Sequence, residues 1–549
     1  MIAGRQTSQT AFINMSFRFF GGTWNIQKVT PPWGDRPSIY QHILANIRPG
    51  SPGLGEKGEL LPDDEIASRG KEIRWAPGAL DGVVGHHVGL SEAAEAAKKI
   101  LESIRVFSKK ANDKNAAELY SQLLDQSTLT YVDHLLEAVI ADGALDPERI
   151  HNIAHWLATA AADREPIKCA IALLGVCRDR EDRDLLLTLG RNEEFTLFVT
   201  VALRNSGDDP ELSLWALACL VTGWGRIQII ERLAETKDEQ IKAWMLREGY
   251  QNEIMQEYTA LICAKTGDLL PALRRPEPDE KLLKGAGSVL TALIRGRGGP
   301  TEGIEAYPDG AEATELYLTH LQTRDIDLQD LVDVKTIEQF LREESGEAKD
   351  SALGFPKRAA KLLGLTGAIL SRPGWKQKVS HGLNSEDRQT FWMATEAAGM
   401  LGIDAWNVYF ERLKRGEDLW YFVMQTSDHD RFDQGIRFAE ETLPLKDIAS
   451  GPTDSVGLGP EFRNHSALDC VLQELRRFPG KGWTLIRAGL QSPTVRNRNM
   501  AVQALREWDR TAWPAEAESL LNRAIDVEPK DDTRALMVKT LNGESHETN

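Results

Sequence analysis

Two histidines, His151 and His155, stand four residues apart in the stretch HNIAH, just behind Asp146 and Glu148. On a helix such a pair projects both imidazoles from one face, the geometry in which two nitrogens can share a metal ion. The stretch lacks the general-base glutamate of HExxH and no spacing supplies a third ligand, so the pair reads as histidines flanking an apolar stripe, and no metal is expected. Gly85-His86-His87 is a second cluster, but adjacent side chains diverge, and it reads as a surface turn. Gly53-Leu-Gly55-Glu-Lys-Gly58 fits the dinucleotide-loop pattern, with Asp81 placed where a ribose-binding acid would sit. Such a loop must leave a buried strand and enter a helix directly, so that the pyrophosphate meets free N–H groups. Pro49, Pro52 and Pro62 interrupt that context, and the stretch reads as an ordinary loop.

Oxidative and nucleophilic chemistry leave other marks. The five cysteines sit in IKCAI, GVCRD, LACLV, LICAK and LDCVL, helix-like and mostly apolar contexts without CxxC spacing. They read as buried, reduced thiols rather than haem ligands, zinc ligands or a disulfide framework. None of the nine tyrosines is followed four residues later by lysine, as a short-chain dehydrogenase would require, and neither GxSxG nor a P-loop occurs. The glycine loop around Arg295 and Arg297 could hold an anion, although a solvated turn accounts for it. No residue is thereby assigned a catalytic or cofactor-binding role.

The elements that would position these residues are helices. In DPELSLWALACLVTGWGRIQIIERL, residues 209 to 233, Asp209 can cap a helix and Pro210 suits its first position. Leu212, Trp215, Ala216, Cys219 and Leu220 then form an i, i+3, i+4, i+7, i+8 stripe, of which Leu212, Trp215, Cys219 and Leu220 are expected to be buried. The Gly-Trp-Gly at 223 to 225 is expected to end that helix, and Ile227, Ile230 and Leu233 begin the next stripe. A helical hairpin of this kind cannot bury its stripes alone and must stack on similar ones. Asp146-Pro147 and Ser492-Pro493 repeat the punctuation. Val132, Leu135, Leu136, Val139 and Ile140, then Ile150, Ile153, Ala154, Leu157, Ala158 and Ala161, and finally Ala501, Ala504, Leu505 and Trp508 repeat the stripe.

The fold expected is all-α: a HEAT-like α-solenoid of antiparallel helix pairs with an irregular Gly/Pro/Trp-rich N-terminal segment docked on it. Its divisions are 1–90 for that segment, where only 38 to 47 reads as a helix, 91–300 and 301–541 for helical repeats, and 542–549 for a loose polar tail. Gly/Pro-rich interruptions at 296 to 310 and 446 to 464 read as insertions, and the first serves as the boundary.

Composition narrows the functions. The chain carries 82 acidic and 65 basic residues, a net charge of −17, without a long basic block, which opposes nucleic-acid binding as its main role. Mean hydropathy of −0.35 and the lack of a long apolar run argue against a membrane span or a signal peptide, leaving the cytoplasm as the expected location.

The opening FFGGTWNIQKVTPPWGDRPSIYQHILANI, the GALDGVVGHH turn and the repeat-like helices behind them resemble bacterial proteins named limonene hydroxylase, over most of the chain from Met15. The resemblance implies a monooxygenase with alcohol dehydrogenase activity. It would hydroxylate the monoterpene limonene to carveol and perillyl alcohol and oxidise these to carvone and perillyl aldehyde, with NAD(P)H as cofactor. An apolar substrate pocket is then expected where Trp24, Trp33 and Trp75 meet the helices. The residues themselves point instead to a non-catalytic scaffold that binds a protein or peptide partner on a concave helical face, with a basic partner favoured by the chain's charge.

Overall fold

The computed structural model describes residues 25–67, 90–205, 209–299, 301–346 and 354–544. Among these the chain is all-α: its ordered elements are helices and helical turns, joined by two isolated β-bridges, Ile47 with Leu54 and Ser455 with Thr494. Short acidic and amide side chains start many of these helices. Asp146, Asp209, Asp279, Asp387 and Asp428 each accept a backbone N–H from the first turn that follows. Far-ultraviolet circular dichroism of the full chain should therefore show the paired minima of a helical protein, and a spectrum dominated by strand would contradict the fold.

The chain divides into two compact units, one formed by residues 1–324 and 336–369 and the other by 325–335 and 370–549. The glycine-rich stretch 296 to 310 lies inside the first of them.

In the first unit α1 (Ile39–Ala45) lies in the N-terminal segment, with Ser38 capping it through the Gln41 N–H. Then come α2 (Leu90–Lys109), α3 (Thr128–Ala141), α4 (Pro147–Ala160), α5 (Arg164–Cys177), α6 (Arg183–Leu189) and α7 (Glu193–Asn205). They are followed by α8 (Pro210–Ala218), α9 (Trp224–Arg232), α10 (Glu257–Thr266) and α11 (Glu280–Arg295). Helix α2 packs on α3, α3 on α5, α5 on α7, α7 on α9, α9 on α10 and α10 on α11. Helices α4, α6 and α8 flank this series, and α1 lies against α4 and α6. The stripe of α4 is buried as its spacing predicts, but Ile140, in the last turn of α3, is exposed.

Residues 209 to 233 correct the expected register. Leu214, Leu217, Ala218 and Val221 are buried, while Leu212 is 41% exposed and Cys219 lies on the surface. The segment LSLWALACLV is apolar nearly all round, so two stripes offset by two positions compete and periodicity cannot rank them. Packing against α7 and α9 selects the second. Trp215 is only half-buried, edge-on to Trp244 with centroids 6.4 Å apart. Nor does Gly-Trp-Gly end α8, for Gly223 caps α9 and Trp224 is its first residue. The reason lies on α7, whose Glu193 carboxylate accepts the Gly223 N–H at 2.8 Å and the Gly225 N–H at 2.5 Å. A half-buried side chain from the neighbouring helix thus takes the place of a local cap.

In the second unit lie α12 (Trp375–Leu383), α13 (Arg388–Leu401), α14 (Trp406–Lys414), α15 (Trp420–Met424) and α16 (His429–Thr442). They are followed by α17 (Arg463–Leu475), α18 (Trp483–Leu490), α19 (Val495–Glu507), α20 (Ala517–Val527) and α21 (Asp531–Asn542). Helix α15 packs on α17, α17 on α19 and α19 on α21, while α16 packs on α18 and α18 on α20. Ala501, Ala504, Leu505 and Trp508 are all buried, as the stripe of α19 predicts. The loop within 446 to 464 is pinned: Gly451 N–H donates to Gln491 O, and Val495 N–H donates to Ser455 O.

Candidate functional site

The GxGxxG stretch belongs to the docked N-terminal segment. Gly53 N–H donates to Leu220 O at 2.8 Å, Gly55 N–H to Asn46 O at 3.0 Å and Gly58 N–H to Gly55 O at 2.6 Å. Leu54 N–H reaches the Glu59 carboxylate at 3.3 Å. Four of the donors in the stretch are thus spent inside the protein, and a carboxylate already faces one of them, which favours the loop reading over a nucleotide site. Asp81, His86 and His87 lie outside the described residues. Arg297 pairs with Glu344 at 2.7 Å and lies 5.1 Å over the Phe340 ring, which likewise fills the loop considered as an anion site.

His151 and His155 do come together, with ring centroids 6.1 Å apart on α4. His151 Nε2 is 2.8 Å from Asp182 Oδ2 and 3.8 Å from Asp179 Oδ2. The bond to Asp182 raises the His151 pKa, whereas burial lowers that of His155. Cys177 shares this locale, and burial, followed by Asp182 and Asp179, pushes its thiol up to about 11. A cysteine nucleophile needs the reverse, a thiolate held by cationic neighbours, so the cluster ties α4 to the turn after α5 rather than activating sulfur. The carboxylates do carry a pH signature. A raised imidazole pKa supplies stability that is full below about pH 6.5 and is lost as pH rises through the folded value. His155, with its lowered pKa, works in the opposite sense, costing stability as pH falls below about 6.5. His151→Gln should therefore lower Tm more at about pH 6 than at about pH 8, and an equal loss at both would contradict the assignment.

Of the three N-terminal tryptophans, Trp33 is described, and it lines no opening. It is 7% exposed, with Tyr120 and Trp156 at centroid distances of 5.1 and 4.9 Å. Arg36 beside it makes a two-pronged pair with Asp163 at 2.6 and 2.5 Å, and Tyr120 OH donates to the same carboxylate at 2.6 Å. At the other end of the segment Arg164 binds Asp63 at 2.9 Å and also Asp64. This aromatic and ionic cluster clamps the segment to α4 and α5. Trp24 and Trp75 lie outside the described residues.

The second unit holds a hollow of about 560 Å³ on α16, lined by Asp430, Asp433, Arg437, Glu440 and Lys481, with Ile436 an apolar member. Lys481 Nζ is 2.5 Å from Asp433 Oδ1 across it. Walls so charged suit a polar solute, and a hydrocarbon would gain little there.

A different surface of this unit is aromatic. Trp392 of α13 contacts Phe422 of α15 at a centroid distance of 5.6 Å, and Phe422 contacts Tyr421 at 5.4 Å. Tyr409 supports Phe422 from α14 at 5.2 Å, and Phe391 supports Trp392 at 5.3 Å. Trp392 is 37% and Tyr421 52% exposed, so a continuous aromatic row reaches the surface on two helices. Sequence reading missed it because the three rings lie 29 and 30 positions apart and share no stripe.

The cysteines are all unpaired, and Cys169 and Cys263 are buried as expected. Cys219 is exposed, which corrects the uniform buried reading and follows from the shifted register of α8. Among the described residues no helix is long and apolar enough to cross a membrane. No family profile and no curated protein matches this chain. Among solved structures, a crystal structure of an engineered protein aligns with 81% of this chain and 98% of its own at 15% identity, with a TM-score of 0.22. So low a score bears on neither fold nor function.

Proposed function

We propose that the protein is a non-catalytic helical scaffold that engages a protein or peptide partner, its helix pairs arranged in a HEAT-like solenoid. One observation carries the reading: Trp392, Phe422 and Tyr421 form a supported aromatic row at the surface. Exposing such rings to water is unfavourable, and aromatic side chains are the usual anchors of protein interfaces. The alternate-helix packing, α15 on α17 on α19 on α21, is the arrangement that presents an extended face in repeat proteins. Five free thiols suit a reducing compartment, in keeping with the cytoplasm.

The test is purification of the tagged full chain from its native host, with parallel purification of a Trp392→Ala/Tyr421→Ala variant. A stoichiometric partner retained by the parent chain and lost by the variant supports the reading. A parent chain that runs alone at every ionic strength refutes it.

The oxidative reading stands as a second proposal on one observation, the likeness of the opening stretch to proteins named limonene hydroxylase. Its pocket must lie away from Trp33, which is sealed between other rings. Incubation of purified chain with limonene, oxygen and NAD(P)H, analysed for carveol and perillyl alcohol, decides it. Product formation would establish the activity, and its absence from protein free of host oxygenases, with metals supplied, would end it.

A further inference from the structure

We infer that the aromatic row of the second unit is a docking site for an arginine-bearing, basic peptide segment of another protein, an inference that rests on the scaffold reading. The unit itself shows what its rings accept. Arg412 lies 3.8 Å over Phe391, Arg431 5.2 Å over Trp406 and Arg510 3.9 Å over Trp513. Lys378 covers Trp375 at 5.4 Å, and Lys414 covers Phe410 at 4.5 Å. Where the chain has a cation within reach of a ring in this unit, it tends to stack it, because the negative face of the ring attracts a poorly hydrated guanidinium.

Among the described residues no such cation covers Trp392, Phe422 or Tyr421, although Arg388 sits one turn before Trp392. Phe391, next in sequence to Trp392, already has its own arginine, so the row is half of a motif whose other half is missing among the described residues. Acidic groups accompany the open half. Glu396 lies one helical turn beyond Trp392 on the same face of α13, and exposed Asp418 lies three residues before Tyr421. A guanidinium stacked on Tyr421 would thus have the exposed Asp418 carboxylate three residues away in the chain, and a carboxylate paired with a stacked cation is the combination in which arginine outperforms lysine. A net charge of −17 adds long-range attraction for a basic segment.

The experiment uses the full chain and three short fluorescent peptides, alternating glycine with arginine, lysine or citrulline. The arginine peptide should bind tightest, with the lysine peptide weaker and the neutral citrulline peptide weakest. Trp392→Ala and Tyr421→Ala should each weaken the arginine peptide by about ten-fold. Trp392→Leu keeps the apolar bulk but removes the π face and should weaken it similarly, while its unchanged circular dichroism shows that the helices persist. Asp418→Asn should weaken binding less and flatten its salt dependence. Equal binding of all three peptides, or arginine-peptide binding indifferent to Trp392 and Tyr421, overturns the inference. If a host partner depends on Trp392 and Tyr421 while no arginine preference exists, the scaffold reading stands and the arginine chemistry falls.

Discussion

Arg498→Ala should destabilise the second unit by about 3–5 kcal/mol, the loss expected when one partner of a buried ion pair is removed. Arg498 and Glu528 have side chains 0% and 1% exposed, joined through Nε to Oε2 and Nη2 to Oε1, both at 2.7 Å. The guanidinium also donates to the carbonyls of Ser492, Pro493 and Thr453. It therefore fastens three segments: the pinned loop before α17, the turn from α18 to α19, and the link between α20 and α21. Alanine leaves a carboxylate buried without its cation and takes a donor from three carbonyls, of which Pro493 O keeps the Thr453 hydroxyl at 3.0 Å. Replacing both members by apolar residues, as in Arg498→Met with Glu528→Leu, should recover part of the loss, because the isolated charge disappears with its partner. Calorimetric melting of the full chain measures both variants. A single variant within about 1 kcal/mol of the parent would show that water or another group satisfies Glu528.

Arg498 also marks where sequence reading stopped. In SPTVRNRNMAVQALREW the apolar stripe is legible, since Ala501, Ala504, Leu505 and Trp508 recur at helical spacing and all four are buried. Nothing in that stripe says that Arg498, a turn before it, is itself enclosed. Its partner lies 30 positions away and its acceptors are backbone atoms of a loop, none of which has a signature in side-chain pattern. Capping was legible for the same reason that the stripe was: Asp146 and its own first turn are neighbours in sequence. Glu193, which caps α9 from α7, was not, because its targets lie 30 and 32 residues away. The register of α8 failed for a third reason. Leu212 and Leu214 are both apolar, and only the packing of α7 and α9 around the helix chooses between them. The candidate surface belongs to the same class as Arg498, for Trp392 and Phe422 become neighbours only once α13 and α15 are folded against each other.

The docked N-terminal segment leads to the second large effect. Asp163→Ala should release it. Asp163 is nearly buried and accepts three hydrogen bonds, two from Arg36 and one from Tyr120 OH. Arg36 is 37% exposed and can regain water, so its share of the loss is about 1 kcal/mol or less. Tyr120 cannot, and a buried hydroxyl stripped of its acceptor costs about 1–3 kcal/mol more. The sum, about 1–4 kcal/mol, falls on the stretch between Arg36 and Asp63, whose far end is still held by Arg164. Opening of that stretch frees the backbone after Lys57 for trypsin, whereas the bonds after Arg36 and Arg48 precede proline and resist it. Because cleavage of a transiently open segment follows the open population, about 1–4 kcal/mol corresponds to roughly 5- to 900-fold faster cutting there. Adding Tyr120→Phe to Asp163→Ala removes the stranded hydroxyl and should restore part of the protection. If trypsin cuts the variant no faster than the parent chain, the aromatic packing of Trp33 against Tyr120 and Trp156 holds the segment by itself, and the ionic clamp is dispensable.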